Sequence, residues 1–210
     1  MFKSALDENT WKILRQLVEI PFLSDFYLAG GSAAALQLGH RISKDLDFFI
    51  ATSFSNRELL QHLSQIHKPQ VRQEEQGTLT VILETIPMSF FEYHTNLLNP
   101  PVLWESIRLA SLLDVALMKI VAIGQRGSRR DFVDLYYIIR NKKWSLDDLL
   151  ARIPEKYPHI DFPLYHFTKS LSFFDDAEEE PPLRMLDKTY RWDVIPAFFK
   201  ETAKNLAKNI

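Results

Sequence analysis

The chain of 210 residues is long enough for one large domain or two small ones. Hydrophobic residues make up 46% of it and aromatic residues 12%, which excludes a disordered protein because such a chain can bury a substantial core. The formal charge of -2 excludes a polybasic chain, and the absence of cysteine excludes disulfides, thiolate metal sites and thiol nucleophiles.

The first half of the chain mixes helical and strand patterns. Apolar residues recur at helical spacing ahead of Pro21, and short runs of β-branched or aromatic residues follow. We predict an amphipathic helix over 8–20, an alanine-rich helix that begins at Ser32 and a third helix over 55–67. The predicted strands are 26–28, 46–50, 78–83 and 88–93.

The second half, after the break at Asn99–Pro101, has helical periodicity and little strand signal. The predicted helices are 111–124, 130–141, 145–152, 164–173 and 191–207. We therefore predict an α/β (α+β) protein with an N-terminal domain over 1–100, built on a small mixed sheet, and a helical domain over 101–210. The most apolar helical run, Leu112–Ile123, is too short to span a bilayer, so we expect no membrane contact and a cytoplasmic protein.

Charge is unevenly distributed along this near-neutral chain. Residues Lys119–Lys143 contain seven basic and two acidic residues, a net of +5, and Trp144–Glu180 contain nine acidic and three basic residues, a net of -6. Two interpretations stay open for the basic stretch: it forms solvated helix faces, or it contacts phosphate.

The triplet Gly30–Ser32 lies between a predicted strand and a predicted helix. Glycines allow backbone amides to approach a ligand closely, and a helix N-terminus offers unpaired N–H groups that suit a phosphate. The alternative interpretation is an ordinary turn. Gly30, Gly31 and Ser32 are therefore candidate nucleotide-binding residues.

Two aspartates open the next predicted strand. Asp45 and Asp47 are two residues apart, so their side chains project to the same face. Two carboxylates held side by side repel each other unless a cation lies between them, and Mg²⁺ or Mn²⁺ suits such oxygen ligands. The alternative is a solvent-facing strand end without a metal.

The combination of these motifs carries a family resemblance. A strand, Gly-Gly-Ser, a helix and a strand with Asp-x-Asp are typical of the nucleotidyltransferase superfamily. The segment Leu28–Phe49 closely resembles the AbiEii/AbiGii toxin family of nucleotidyltransferases, and so do Asp114–Ile123 and Arg126–Tyr136. The resemblance is scattered over residues 26–200 and implies a nucleotidyltransferase fold.

Lys119 lies in a helix that is apolar on almost every side, so it needs an anionic partner. That partner is either Asp131 or Asp134, which share a helix face, or a substrate phosphate. The family motif favours the phosphate and favours Asp131 as a site residue. We therefore predict Asp45, Asp47, Lys119 and Asp131 as catalytic residues, with Lys119 and Arg130 also binding nucleotide.

One position departs from the family pattern. Nucleotidyltransferases usually carry a third carboxylate on a neighbouring strand, and Ser89 occupies the matching place here. Glu92 is an odd number of residues away and should face the other side of a regular strand. The departure puts catalysis in question more than it does nucleotide binding.

The resemblance implies a metal-dependent enzyme that moves a nucleotide from an NTP to an acceptor, with RNA, and the tRNA 3′ end in some relatives, as that acceptor. It also implies the toxin component of a bacterial toxin–antitoxin or phage-defence system with a separate antitoxin. The alternatives are a protein of the same fold that binds nucleotide or a partner without turnover, and a plain interaction module that needs no metal.

Overall fold

A computed structural model describes residues 1–159 and 163–208. Its centre is a mixed sheet in the order β3-β4-β5-β2-β1-β7-β6. The strands are β1 (Tyr27–Leu28), β2 (Leu46–Ile50), β3 (Gln70–Glu75), β4 (Thr78–Leu83), β5 (Ile86–Glu92), β6 (Val102–Trp104) and β7 (Ile107–Leu109). Strands β2 and β5 run parallel, as do β1 and β7, and the other neighbouring pairs are antiparallel.

The α-helices precede, separate and follow these strands along the chain. They are α1 (Glu8–Val18), α2 (Gly30–Leu38), α3 (Asn56–Ile66), α4 (Leu112–Arg126), α5 (Arg129–Lys142), α6 (Leu146–Ala151), α7 (Ile153–Lys156), α8 (Leu164–Ser170), α9 (Asp175–Glu179) and α10 (Val194–Leu206). Side-chain caps fix several of their N-termini: Asp7 accepts from the amide of Thr10, and Ser111 accepts from the amide of Asp114. Among the described residues, no helix is long and apolar enough to cross a membrane.

The alternation of residues along β2 and β5 separates two faces of the sheet. Leu46, Phe48, Met88 and Phe90 are buried on the face that packs towards the core, and the rings of Phe48 and Phe90 stack at 5.1 Å. The intervening residues on both strands are only partly buried. This second face is the floor of the candidate site.

The α/β class and most predicted elements are confirmed, including β2 and β4 at their predicted bounds. Three strands escaped prediction. Strand β3 is exposed along its whole length, so its sequence lacks the apolar alternation from which a strand is predicted. Strands β6 and β7 have three residues each, and they are joined by Glu105 and Ser106 with positive φ in place of the usual glycine or asparagine.

Strands β6 and β7 also bear on the predicted division of the chain. Both follow residue 100, yet β7 pairs with β1 of the N-terminal half. The sheet is therefore continuous across the predicted boundary, which corrects the expectation that the residues after Pro101 contribute only helices. A division into two independent units at residue 100 stays a prediction.

Candidate functional site

Helix α2 begins at the glycine pair, directly beside the strand that carries the aspartates. Gly30 has a φ of +59°, and a β-carbon there would lie 3.0 Å from Oδ2 of Asp47. A β-carbon on Gly31 would collide with the guanidinium of Arg41. The first amides of any α-helix have no intrahelical partner, and in α2 the N-cap residue, Ala29, offers no side chain to occupy them. The two glycines thus leave the helix N-terminus open next to Asp47.

Ser32 lies in the first turn of α2. Its side chain is buried, its Oγ lies 2.9 Å from Oγ of Ser43, and it donates to the carbonyl oxygen of Asp45. In this arrangement Ser32 fixes the backbone that presents the first aspartate. Direct phosphate binding by Ser32 stays a prediction.

Asp45 and Asp47 meet Ser89 at the sheet surface. Ser89 on β5 is in register with Asp47 on β2, the position at which the family resemblance implies a third carboxylate. The hydroxyl of Ser89 lies 3.4 Å from that of Thr80 on β4. The carboxylate of Glu92 is held by the Ser53 hydroxyl at 2.9 Å and by the His94 ring at 2.7 Å. Glu92 nevertheless lines the same cavity as Asp47 and Ser89, which corrects the expectation that it faces the other side of the strand.

The two aspartates have different electrostatic environments. Oδ2 of Asp45 pairs with Nη1 of Arg130 at 2.9 Å. The carboxylate of Asp47 has no hydrogen-bond or ion-pair partner in the described part of the chain. Burial, followed by repulsion from Asp45, raises the pKa of Asp47 to about 6. Asp47 is thus a carboxylate that a bound cation would relieve of repulsion.

A cluster of opposite charges lies behind the aspartates, between α2, α4 and α5. Nζ of Lys119 is 2.8 Å from Asp131 and 2.7 Å from Asp134. Asp134 also accepts two hydrogen bonds from the guanidinium of Arg41, at 2.7 and 2.9 Å, and lies 2.9 Å from Nε2 of His40. We call His40, Arg41, Lys119, Asp131 and Asp134 the buried charge cluster, since all five are buried.

The pKa shifts within the buried charge cluster follow from this pairing. Burial alone would favour neutral groups, but Arg41 and Lys119 hold the pKa of Asp134 well below its usual range. Asp134 and Asp131 likewise raise the pKa of Lys119 against the effect of burial. Two cations and two carboxylates of the cluster are therefore charged and compensate each other at neutral pH, whereas burial lowers the pKa of His40. Both ion-pair partners that the sequence left open for Lys119 are engaged at once.

Asp131 links the buried charge cluster to solvent through Arg126. Nε of Arg126 lies 2.8 Å from Oδ2 of Asp131, and the Arg126 side chain is otherwise largely exposed. Asp134, His40 and Arg41 were not among the predicted site residues. Their signal in the sequence was weak, since only the three-residue spacing of Asp131 and Asp134 and the His-Arg pair ahead of Asp45 pointed to them.

The predicted basic stretch does not form one surface. Lys119 is buried in the cluster, and Arg129 is buried against the carbonyl oxygens of Ala177 and Glu178. Arg126 and Arg130 reach the candidate site. The remaining basic residues lie at the opposite end of α5, namely Arg140, Lys142 and Lys143. Of the seven basic residues in this stretch, only Lys119, Arg126 and Arg130 therefore line the candidate site.

The glycine pair, the two aspartates and part of the buried charge cluster line a cavity of about 500 Å³ between the sheet and α4. Its lining includes the predicted Gly30, Gly31, Asp45, Asp47, Lys119, Arg130 and Asp131. Ser32 is the predicted site residue that does not line it. A cavity of this size, with carboxylates beside guanidinium groups and an open helix N-terminus, suits a phosphorylated small molecule.

The aspartate pair also fits a divalent cation. Mg²⁺ commonly binds through one or two carboxylates and completes its shell with substrate phosphates and water. Within residues 1–159 and 163–208, no group of three or more His, Asp or Glu side chains forms a metal site by itself. A cation at Asp45 and Asp47 would thus depend on the substrate for further ligands, and its presence stays a prediction.

The raised pKa of Asp47 leads to a prediction about stability. Folded, metal-free protein binds a proton at Asp47 more tightly than the unfolded chain does, so the contribution of Asp47 to stability should fall as the pH rises from about 4 to about 6. Asp47→Asn has no such loss and should unfold at a higher temperature than wild type at pH 8, with little difference at pH 4. Thermal unfolding in EDTA at both pH values checks this. A wild type as stable as the variant at pH 8 would contradict it.

Comparisons with known proteins agree with the fold and the motifs. The family profile described as nucleotidyl transferase AbiEii toxin, type IV TA system, matches residues 12–85. The uncharacterized protein aq_aa25 of Aquifex aeolicus strain VF5 is 36% identical over 208 residues, which cover 97% of this chain and 98% of that protein. No function comes with that relative.

Two solved structures from Helicobacter pylori share the fold. JHP933 superposes with a TM-score of 0.62 at 18% identity, over 97% of this chain and 94% of its own. A chain assigned as a nucleotidyltransferase superposes with a TM-score of 0.61 at 17% identity, over 100% and 97%. At such identities the likeness establishes the nucleotidyltransferase fold alone. The profile match covers the segment that carries Gly30–Gly31 and Asp45–Asp47, so over residues 12–85 the chain is similar to the AbiEii nucleotidyl transferase toxins.

Proposed function

We propose that this protein is a metal-dependent nucleotidyltransferase that moves a nucleotide from an NTP to an acceptor and releases pyrophosphate. The observation that carries the proposal is the position of Asp47, which has no partner in the described residues and lies beside Asp45 and the open N-terminus of α2. The match to the AbiEii nucleotidyl transferase profile over residues 12–85 supports the same reaction class. Nucleotidyltransferases commonly use Mg²⁺, and Mn²⁺ would satisfy the same oxygen ligands.

Each side chain has a proposed task. The amides of Gly30 and Gly31 bind phosphate oxygens at the N-terminus of α2, and Asp45 and Asp47 hold Mg²⁺. When bound, Mg²⁺ would neutralise charge on the phosphates and bring the acceptor hydroxyl close to the reacting phosphorus. Arg130, which pairs with Asp45 in this structure, would be free to bind a substrate phosphate if Asp45 held a cation.

The buried charge cluster supports the same step from behind. Lys119 lines the cavity, and its positive charge favours the charge that develops on the transferred phosphoryl group. Asp131 and Asp134 keep that lysine in place, and Asp131 does the same for Arg126. In this proposal Asp131 acts by positioning the side chains of Lys119 and Arg126.

The biological setting follows from the family. We propose a cytoplasmic toxin whose activity is opposed by a separate antitoxin. Its proposed acceptor is RNA, and the tRNA 3′ end is one such acceptor to be tested. Two exposed cations support a nucleic-acid acceptor. Lys44 and Arg184 line a groove of about 400 Å³ that joins the cavity at Asp45 and Arg130, and neither has an ion-pair partner in the described part of the chain.

The groove gives a prediction about RNA binding. Replacing Lys44 and Arg184 together by glutamine should weaken binding to single-stranded RNA and make the log–log dependence on salt shallower by about 0.7 per lost phosphate contact. Lys142→Gln is the matched control, because Lys142 lies about 18 Å along α5 from Arg130. Fluorescence anisotropy with a labelled RNA over a series of salt concentrations checks this. An unchanged slope in the double variant would reject the groove as the RNA site.

The enzyme itself is tested by incubating it with each α-labelled NTP, Mg²⁺ and total tRNA, and by following label into RNA or protein. Label transfer that EDTA abolishes is the expected result. No transfer to any acceptor, with every NTP and either metal, would contradict the proposal.

Ser89 favours a second candidate, a protein of the same fold that binds nucleotide without turnover. Ser89 is in register with Asp47, where the family resemblance implies a third carboxylate, so the acceptor hydroxyl would lack its usual base. A positioned base contributes about 10²–10⁴-fold in rate, less than positioning and charge stabilisation together. We therefore propose a slow enzyme.

The variant Ser89→Asp separates these two candidates. It should leave NTP affinity intact and should raise the transfer rate or change the metal preference, because it restores the missing carboxylate beside Asp47. Thr80→Ser, on the neighbouring strand, is the matched control, since it keeps a hydroxyl beside Ser89. If wild type transfers no label and Ser89→Asp alone does, the binding protein is the better description.

A further inference from the structure

Three aromatic side chains line one end of the cavity. Phe49 and Phe91 follow Asp47 and Ser89 by two residues on β2 and β5, and Tyr93 follows Phe91 by two. Because alternate residues of a strand share a face, the sheet surface passes from Asp45 through Asp47 to Phe49 in steps of about 6.6 Å. The cavity therefore has an acidic end and an aromatic end.

The aromatic end is rigid. The rings of Phe49 and Phe91 lie 5.2 Å apart, and Phe49 also meets Tyr93 edge to face at 5.4 Å. Tyr27 stacks against Phe49 at 5.9 Å, and the hydroxyl of Tyr93 is held by that of Tyr157 at 2.7 Å. These contacts fix the rings before any ligand arrives.

The aromatic end is also left partly open. The neighbouring rings of Phe48 and Phe90, on the other face of the sheet, are fully enclosed in the core, whereas Phe49 and Phe91 are only partly buried. Met118 and Ala122 of α4 line the same cavity, so the open ring surface faces a further apolar wall.

We propose that this aromatic end is the nucleobase subsite, where the base of the incoming NTP stacks on Phe91 and Phe49 while its phosphates lie at Gly30, Gly31 and the aspartates. The inference rests on the proposed function and adds which end of the nucleotide lies where. Base–aromatic stacking tolerates every base, since each presents a π face. Base choice is consequently weak unless the exposed amide of Gln125, which lines the same cavity, contributes to it.

Tripolyphosphate separates base contacts from phosphate contacts. Wild type, Phe91→Leu and Phe173→Leu are titrated by calorimetry with Mg·ATP and with Mg·tripolyphosphate, in the absence of an acceptor. Phe91→Leu keeps an apolar side chain but loses the ring, so it should lose about 5- to 150-fold in ATP affinity and keep its tripolyphosphate affinity. Phe173, an exposed phenylalanine that does not line the cavity, is the matched control and should leave both affinities unchanged.

Two results would overturn the subsite: equal ATP affinity in wild type and Phe91→Leu, or an equal loss of both ligands, which would indicate a general disturbance of the cavity. The two titrations of wild type also test the subsite by themselves, without depending on whether a variant folds. If it binds ATP no more tightly than tripolyphosphate, the subsite is wrong although the phosphate site stands. If wild type binds neither ligand with Mg²⁺, the proposed function fails and this inference fails with it.

Discussion

Asp47→Asn is expected to reduce nucleotide transfer by at least about a thousandfold while the protein stays folded. The change removes a carboxylate that has no partner in the described residues and that is proposed to hold Mg²⁺. Loss of several kcal/mol of charge stabilisation in the transition state corresponds to this factor, since each 1.4 kcal/mol is tenfold in rate. The measurement is the initial rate of label transfer from an α-labelled NTP at saturating Mg²⁺.

Structural damage cannot account for such a loss, because the same variant is expected to be more stable than wild type at pH 8. Asp25→Asn is the matched control: Asp25 is 82% exposed on its side chain and lies outside the cavity, so its variant should transfer at the wild-type rate. Asp47→Asn with a wild-type rate would show that the metal, if any, binds elsewhere. A similar loss of transfer rate in Asp25→Asn would show that the assay reports the fraction of folded protein and not the chemistry of the site.

Motifs that are short in sequence were the predictable part of this site. Gly30–Gly31 and Asp45–Asp47 could be placed beside each other from the strand–helix–strand pattern, because a few residues fix the geometry of a tight turn and of a strand pleat. The register of Ser89 with Asp47 depended in addition on the pairing of β2 with β5. That pairing joins segments about forty residues apart and came from family resemblance.

The rest of the site depended on contacts that local patterns do not encode. The partner of Lys119 was open between two aspartates because both lie on one face of α5, and only the packing of α4 against α5 shows that it meets both. Arg41 meets Asp134 across 93 positions of sequence. Strands β3 and β6 were missed for a different physical reason, since they lie at the edges of the sheet and bury too little to impose an apolar pattern.

The buried charge cluster leads to the second large effect, on stability. Asp134→Asn should lower the free energy of unfolding by about 3–5 kcal/mol at pH 7, because it removes the anion that Arg41 and Lys119 share and leaves buried positive charge under-compensated. Chemical denaturation followed by circular dichroism measures it. Asp147→Asn, at an exposed position in the first turn of α6, is the matched control and should change stability by less than about 0.5 kcal/mol.

The pH dependence of this loss distinguishes lost charge from lost packing. The pKa of Asp134 is held well below that of the unfolded chain, so its contribution is present above about pH 4 and is lost as the pH falls towards the folded pKa. The gap in stability between wild type and Asp134→Asn should therefore be constant from pH 5 to 7 and should shrink below about pH 4. A gap that stays the same at low pH would mean that the amide disturbs packing, whereas no gap at pH 7 would mean that the cluster does not hold α2, α4 and α5 together.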